Sequence, residues 1–220
     1  DYPSDLRPRA YSQLAEKLGV PEKSLVWCHG ASDVIVRTAA AAVTRRRAFQ
    51  ETTSPGWCRA LRQEPTWPNA EGLLRNGGIG AVTPVPYPDP WRPMAESEGS
   101  EGSTFWAALE KEVVSENPPA LVYLVHPHFP TGFKEADFGE KLRALVARSS
   151  GQIIFVVDQT YLGFTSRTDD DDLLETLAVE SDAIVLVRSL SKVEGLAALR
   201  LGYALASPAT AREIVGSLPF

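Results

Sequence analysis

Ala183-Ile-Val-Leu-Val-Arg-Ser-Leu-Ser-Lys192 is a β-branched apolar run that ends on two hydroxyls and an amine. A second run of the same kind, Ile153-Ile-Phe-Val-Val-Asp158, ends on a carboxylate. Five apolar residues in a row, without polar alternation, suit a strand buried on both faces. Working outward, apolar runs at 120–125, 153–157, 183–187 and 201–206 are separated by helical patterns over 135–148 and 171–179. That alternation predicts an α/β architecture with a largely parallel sheet covered on both faces. In such sheets the ligand site lies beyond the carboxyl ends of the strands. Gly30, His126, Asp158 and Ser189 all fall there.

Upstream, Ala10–Leu18 has apolar residues at helical spacing and stops at Gly19, and Ser24–Cys28 reads as a short strand ending at Gly30. Ser32 is expected to cap a helix through Val34, Ile35 and the Ala39–Ala42 run, fading at Arg45-Arg-Arg47, where a helix C-terminus favours cations. The region from Gln50 to about Gly80 is rich in Pro, Trp, Gly and Asn and reads as containing one irregular helix. Ile79–Val85 reads as a strand, Pro86–Ser103 as a surface loop and Trp106–Val114 as a helix. No internal repeat is present.

With 220 residues and 44% hydrophobic content, the chain can bury a sizeable core. A formal charge of −6 gives no broad electropositive footprint for nucleic acid, so the expected partner is a small molecule. Cys28 and Cys58 are too few for a disulfide framework and have no zinc-type spacing. No apolar span reaches membrane length, and Asp1-Tyr-Pro-Ser-Asp-Leu-Arg-Pro8 lacks the parts of a signal peptide. The expectation is a soluble, cytoplasmic, unprocessed protein.

An amine nucleophile in a cleft forms imines with aldehydes, which makes Lys192 the candidate to hold an aldehyde cofactor as a Schiff base. Ser189, Ser191 and Arg200 could bind a phosphate dianion, the arginine through a charge-assisted pair. The turn Gly30-Ala-Ser32 would add backbone N–H groups at a helix N-terminus. Asp158, at a strand end, could keep a pyridine nitrogen protonated and so make the ring an electron sink. Each has a plainer reading alone: a surface lysine, an ordinary helix cap, a turn aspartate. Their joint spacing favours the cofactor.

These motifs resemble fold-type I pyridoxal-phosphate enzymes, specifically class I/II aminotransferases of the histidinol-phosphate aminotransferase type. The resemblance runs from Tyr2 to about Ala206 and is strongest over 120–206. It implies a three-layer sandwich, the large cofactor-binding domain of the aspartate aminotransferase fold, spanning 1–220, with the small C-terminal domain absent from this chain. It implies pyridoxal 5'-phosphate as cofactor, amino acids and keto acids as substrates, and transamination as the reaction. Within it Lys192 matches the Schiff-base lysine, Asp158 the pyridinium partner and Tyr161 the donor to the ring hydroxyl. Ser189 and Arg200 match phosphate ligands, and Gly30, Ala31 and Ser32 match the turn whose amides hold the same phosphate. Trp57 sits where the family stacks an aromatic on the ring. Tyr2 resembles a tyrosine that reaches the neighbouring subunit's phosphate, which implies a homodimer.

One position departs. The family's Asn-Pro-x-Asn-Pro-Thr-Gly loop reads His126-Pro-His-Phe-Pro-Thr-Gly132, so Phe129 replaces the asparagine that donates to the ring oxygen and Tyr161 is left as the main donor. The change admits two alternatives: a relative that uses the cofactor for decarboxylation, elimination or oxidation, or a non-catalytic domain that keeps the fold. His29, His126 and His128 could lie together, but no acid or cysteine completes a metal set at recognisable spacing, and His128 is expected to line the cofactor ring. Asp169–Asp172 lacks the glycine and spacing of a calcium loop and reads as a solvated loop that starts a helix.

Overall fold

The structure is a computed structural model that describes residues 6–49, 58–88 and 101–217. Its centre is a seven-stranded sheet: β1 (Leu25–Cys28), β2 (Arg59–Glu64), β3 (Ala81–Pro86), β4 (Leu121–Val125), β5 (Ile154–Asp158), β6 (Ile184–Ser189) and β7 (Gly202–Ala206). The spatial order is β1-β7-β6-β5-β4-β2-β3. Five strands, β3 through β6 in that order, run parallel, whereas β7 is antiparallel to both β6 and β1. The helices are α1 (Leu6–Leu18), α2 (Ala31–Arg47), α3 (Ala70–Asn76), α4 (Glu101–Val113), α5 (Phe138–Arg148), α6 (Asp169–Glu180) and α7 (Pro208–Gly216).

The unbroken apolar runs follow from burial on both faces. Leu121, Tyr123 and Val125 point into one core, with Val34, Ile35 and Ile214 of α2 and α7, while Val122 and Leu124 point into the other, with Leu109, Leu142 and Leu174 of α4, α5 and α6. Each fully buried Leu, Ile or Phe contributes roughly 1.5–3 kcal/mol of transfer free energy. The result is the expected three-layer α/β sandwich. No helix among the described residues is long and apolar enough to cross a membrane.

Several local expectations change. α2 begins at Ala31, with Gly30 rather than Ser32 at the N-cap and no side-chain cap there. Instead Asp33, in the first turn, reaches back to accept the His29 N–H at 2.9 Å and an Arg37 N–H at 2.7 Å. Burial opposes its charge, but these hydrogen bonds hold Asp33 below the ordinary carboxylate range. At the other end Arg45 binds Glu213 and the Asp182 carbonyl, while Arg46 is buried and reaches Gln152.

The 50–80 region contains α3 but also β2, whose polar composition, Arg-Ala-Leu-Arg-Gln-Glu, hid a buried strand. Its Gln63 is buried because the side-chain oxygen accepts the Val125 N–H at 2.7 Å. Glu101–Ser103, read as loop, belong to α4. Asp169–Asp172 form the first turn of α6 and not a solvated loop. Thr168 and Asp171 make a capping box, and Asp171 is fully buried against Lys134 at 2.5 Å.

Candidate active site

The ends of β4 (Val125), β5 and β6 and one helix N-terminus converge on a cleft of about 230 Å³. β5 delivers Asp158 and, three residues on, Tyr161; β6 delivers Ser189, followed by Ser191 and Lys192; α2 presents Ala31 and Ser32. Arg200 closes the wall after a single helical turn, Ala197–Leu199, and adopts a left-handed backbone with φ 49°. Its Nη1 donates to Ser191 Oγ at 3.3 Å and to the Ala197 carbonyl at 3.2 Å.

Gly30 is fixed in type by its surroundings. Its φ of 82° lies in the left-handed region, and a Cβ there would come within 2.9 Å of the Arg200 guanidinium. Behind it, a Cβ on Gly202 would meet the Gly30 backbone at 2.7 Å. The Gly30 turn, Arg200 and Ser191 therefore enclose a small cradle lined by donors. The first amides of α2 lack intrahelical acceptors, as at any helix start, and the helix dipole adds to the pull on an anion.

Deeper in, Asp158 is 7% exposed and both its oxygens are occupied: Oδ2 accepts the Tyr123 hydroxyl at 2.7 Å, and Oδ1 accepts the Thr160 N–H at 2.9 Å. Lys192 Nζ stands 5.3 Å from the centre of the Tyr161 ring. Phe129 lies against Tyr161, ring centres 5.6 Å apart and planes at 20°. Trp67 and Ile35 supply further apolar lining.

Among the expected residues, Ala31, Ser32, Phe129, Asp158, Tyr161, Ser189, Lys192 and Arg200 share this cleft, with Gly30 behind the cradle. Tyr2 and Trp57 lie outside the described residues. His128 does not line the cleft. It is buried, and its ring meets the Pro65 carbonyl at 3.0 Å and Thr131 Oγ1 at 2.8 Å. A carbonyl can only accept, so Nε2 carries the proton and His128 ties the loop bearing Trp67 to the loop bearing Phe129. His126 faces away too, stacked on Phe138, and burial pushes its pKa down to about 4. Among the described residues no His, Cys, Asp or Glu cluster could hold a metal ion.

Trp67 and Tyr123 were not expected at the site. Trp67 follows the unrecognised β2 at Glu64-Pro-Thr-Trp67, so recognising that strand would have put it at a strand's carboxyl end. Tyr123 gave no signal, because in Leu-Val-Tyr-Leu-Val it reads as one more core residue.

The family model for aminotransferase class I and II matches residues 3–218. Histidinol-phosphate aminotransferase 2 of Methylococcus capsulatus is 30% identical over 207 residues, 93% of this chain and 49% of its own length. The chain spans about half the length of the curated relatives it matches over most of its residues. Among solved structures, histidinol-phosphate aminotransferase from Sinorhizobium meliloti in complex with pyridoxal-5'-phosphate superposes with a TM-score of 0.67 at 22% identity, over 95% of this chain and 49% of that one. L-threonine-O-3-phosphate decarboxylase from Porphyromonas gingivalis superposes with a TM-score of 0.63 at 18% identity, over 94% and 52%. Both share the fold.

Proposed function

Because the chain belongs to the aminotransferase class I and II family, we propose that its cleft holds pyridoxal 5'-phosphate and that the protein moves amino groups between amino acids and keto acids. The observation that carries this reading is the convergence of Lys192, Asp158, Tyr161 and Arg200 on one cleft of about 230 Å³ beside the Gly30 turn. The residues fit the group. The donor-lined cradle that a Gly30 Cβ would fill suits a phosphate, a dianion that Arg200, Ser191, Ser189 and the first α2 amides would hold. The buried Asp158 carboxylate suits a protonated ring nitrogen, and the Tyr161 hydroxyl suits the ring oxygen.

When bound, the cofactor's conjugated ring takes up the electrons released at a substrate's α-carbon. Lys192 Nζ is the amine that would hold the cofactor aldehyde as a Schiff base and, once displaced by substrate, carry a proton from the α-carbon. Trp67, Phe129 and Ile35 keep water from the working face. The aromatic pair Phe129 and Tyr161 fixes the tilt of the one phenol left to face the ring oxygen. We read the chain as a large, cofactor-binding domain. The exposed apolar side chains Phe164, Val193, Leu196 and Leu199 near the lysine loop support a homodimer that covers them, to which Tyr2 would contribute.

Phe129 favours a second reading, in which the same cofactor serves another bond cleavage such as decarboxylation, since the amide donor expected beside the ring is missing. A visible absorbance scan with added cofactor, followed by an amino-donor screen, tests both. Keto-acid product supports transamination, carbon dioxide release supports decarboxylation, and absence of a cofactor band refutes both.

A further inference from the structure

Tyr123 enters the cleft floor from the middle of β4, in a strand that otherwise carries only aliphatic side chains. It is fully buried, and its hydroxyl donates to Asp158 Oδ2 at 2.7 Å. In register Tyr123 sits opposite Val156, two residues before Asp158, so the contact depends on the length of the phenol and not on backbone adjacency. Leu, Val or Phe would fill the same core position without reaching the carboxylate with a donor. Burial first, and then the Asp158 charge, hold the Tyr123 hydroxyl well above its ordinary pKa, so it stays protonated.

We propose that Tyr123 is a positioning residue for Asp158: its hydrogen bond fixes the rotation of the carboxylate and aims the remaining lone pairs at a protonated ring nitrogen of the ligand. The inference rests on the cofactor reading above. A donor to the charged form of an acid favours that form, and it makes the carboxylate a weaker base. With Tyr123 on Oδ2 and the Thr160 N–H on Oδ1, the plane of the Asp158 carboxylate is fixed at two points, so its open lone pairs keep one direction toward a ring nitrogen in the cleft. Without Tyr123, Oδ2 loses its donor and the carboxylate can rotate about its side-chain bond, turning those lone pairs away from the ring nitrogen.

The test loads the full chain with pyridoxal phosphate carrying an isotope-labelled ring nitrogen. It compares wild type, Tyr123→Phe, and protein with fluorotyrosine at position 123, whose phenol is a stronger donor. The nitrogen chemical shift reads the proton, and a pH titration of the visible band reads how strongly the ring draws electrons. Tyr123→Phe is expected to move the nitrogen signal toward its unprotonated value and to raise the pKa of the visible band by about one pH unit, while fluorotyrosine lowers it. A cofactor-loaded Tyr123→Phe that matches wild type in both readouts overturns the positioning role and leaves the cofactor reading standing. Wild type with no bound cofactor overturns both. Should Tyr123→Phe fail to fold, the fluorotyrosine protein decides, and an unchanged titration there overturns the inference.

Discussion

Phe129 lies nearly parallel to Tyr161, 5.6 Å between ring centres and 20° between planes. The pair turns one wall of the cleft apolar at the position where the resembling family carries an amide. Tyr161 is thereby braced by a neighbour that cannot hydrogen-bond to it.

Restoring the amide should be visible spectroscopically. A hydrogen bond to a charged group contributes about 1.5–3 kcal/mol, equivalent to roughly one to two pH units. Phe129→Asn is expected to lower the pKa of the visible band of the cofactor-loaded protein by an amount of that order. An unchanged titration would show that the new amide does not reach the ring oxygen.

Lys192→Ala should abolish both the visible band and turnover, because Lys192 Nζ is the one amine that lines the cleft among the described residues. Cofactor binding through the phosphate cradle should persist and be detectable by dialysis. Retained turnover in this variant refutes the role given to the lysine.

Gly30→Ala forces a side chain into a left-handed turn with φ 82° and brings a Cβ to 2.9 Å from Arg200. Strain of about 1–3 kcal/mol predicts roughly ten- to hundredfold weaker cofactor binding. Gly202→Ala should act on the same site from behind, because its Cβ would meet the Gly30 backbone at 2.7 Å. Fluorescence titration with the cofactor measures both. Wild-type affinity in the pair would mean that the turn and Arg200 relax apart freely.

Acid stability is expected to depend on His126. Burial lowers its pKa from 6.5 to about 4, with partial opposition from Asp171, so the folded protein refuses a proton that the unfolded chain accepts. This contribution is fully present above pH 6.5 and is lost as pH falls through about 4, a change on the order of 3 kcal/mol. Asp171 adds a lower window: burial raises its pKa, but hydrogen bonds from Lys134 and the Thr168 N–H outweigh that and lower it, so its stabilisation disappears only as pH drops below the carboxylate range. Urea midpoints measured from pH 7 to pH 4 should decline in wild type and flatten in His126→Asn. Parallel declines would assign the slope to other groups.

The sheet was legible in the sequence wherever a strand is buried on both faces. β4, β5, β6 and β7 announce themselves as apolar runs, and Asp158 and Ser189 follow from where those runs end. β2 was not legible, because Arg59, Arg62 and Gln63 are accommodated by specific partners: the Asn117 carbonyl, Glu64 and the Val125 N–H. Such pairing is a tertiary fact that periodicity does not carry. His128 misled for a related reason, since its neighbours in sequence belong to the site while its ring turns back to Pro65. Tyr123 was hidden by its phenol's dual character, aromatic enough to read as core and polar enough to hold a carboxylate.

The strand order also constrains when the cleft can exist. β1 pairs only with β7, which is synthesised last of the seven strands yet inserts between β1 and β6. On the ribosome, β1, which leads into the Gly30 turn, has no strand to pair with until Gly202–Ala206 has emerged, and Arg200 arrives with it. The Gly30 turn and Arg200 are thus brought together in one late event, and a nascent chain exposes an unpaired β1 and one open edge of β6 until then. Ligand present during synthesis would act on that final docking step and not on the earlier growth of the parallel sheet.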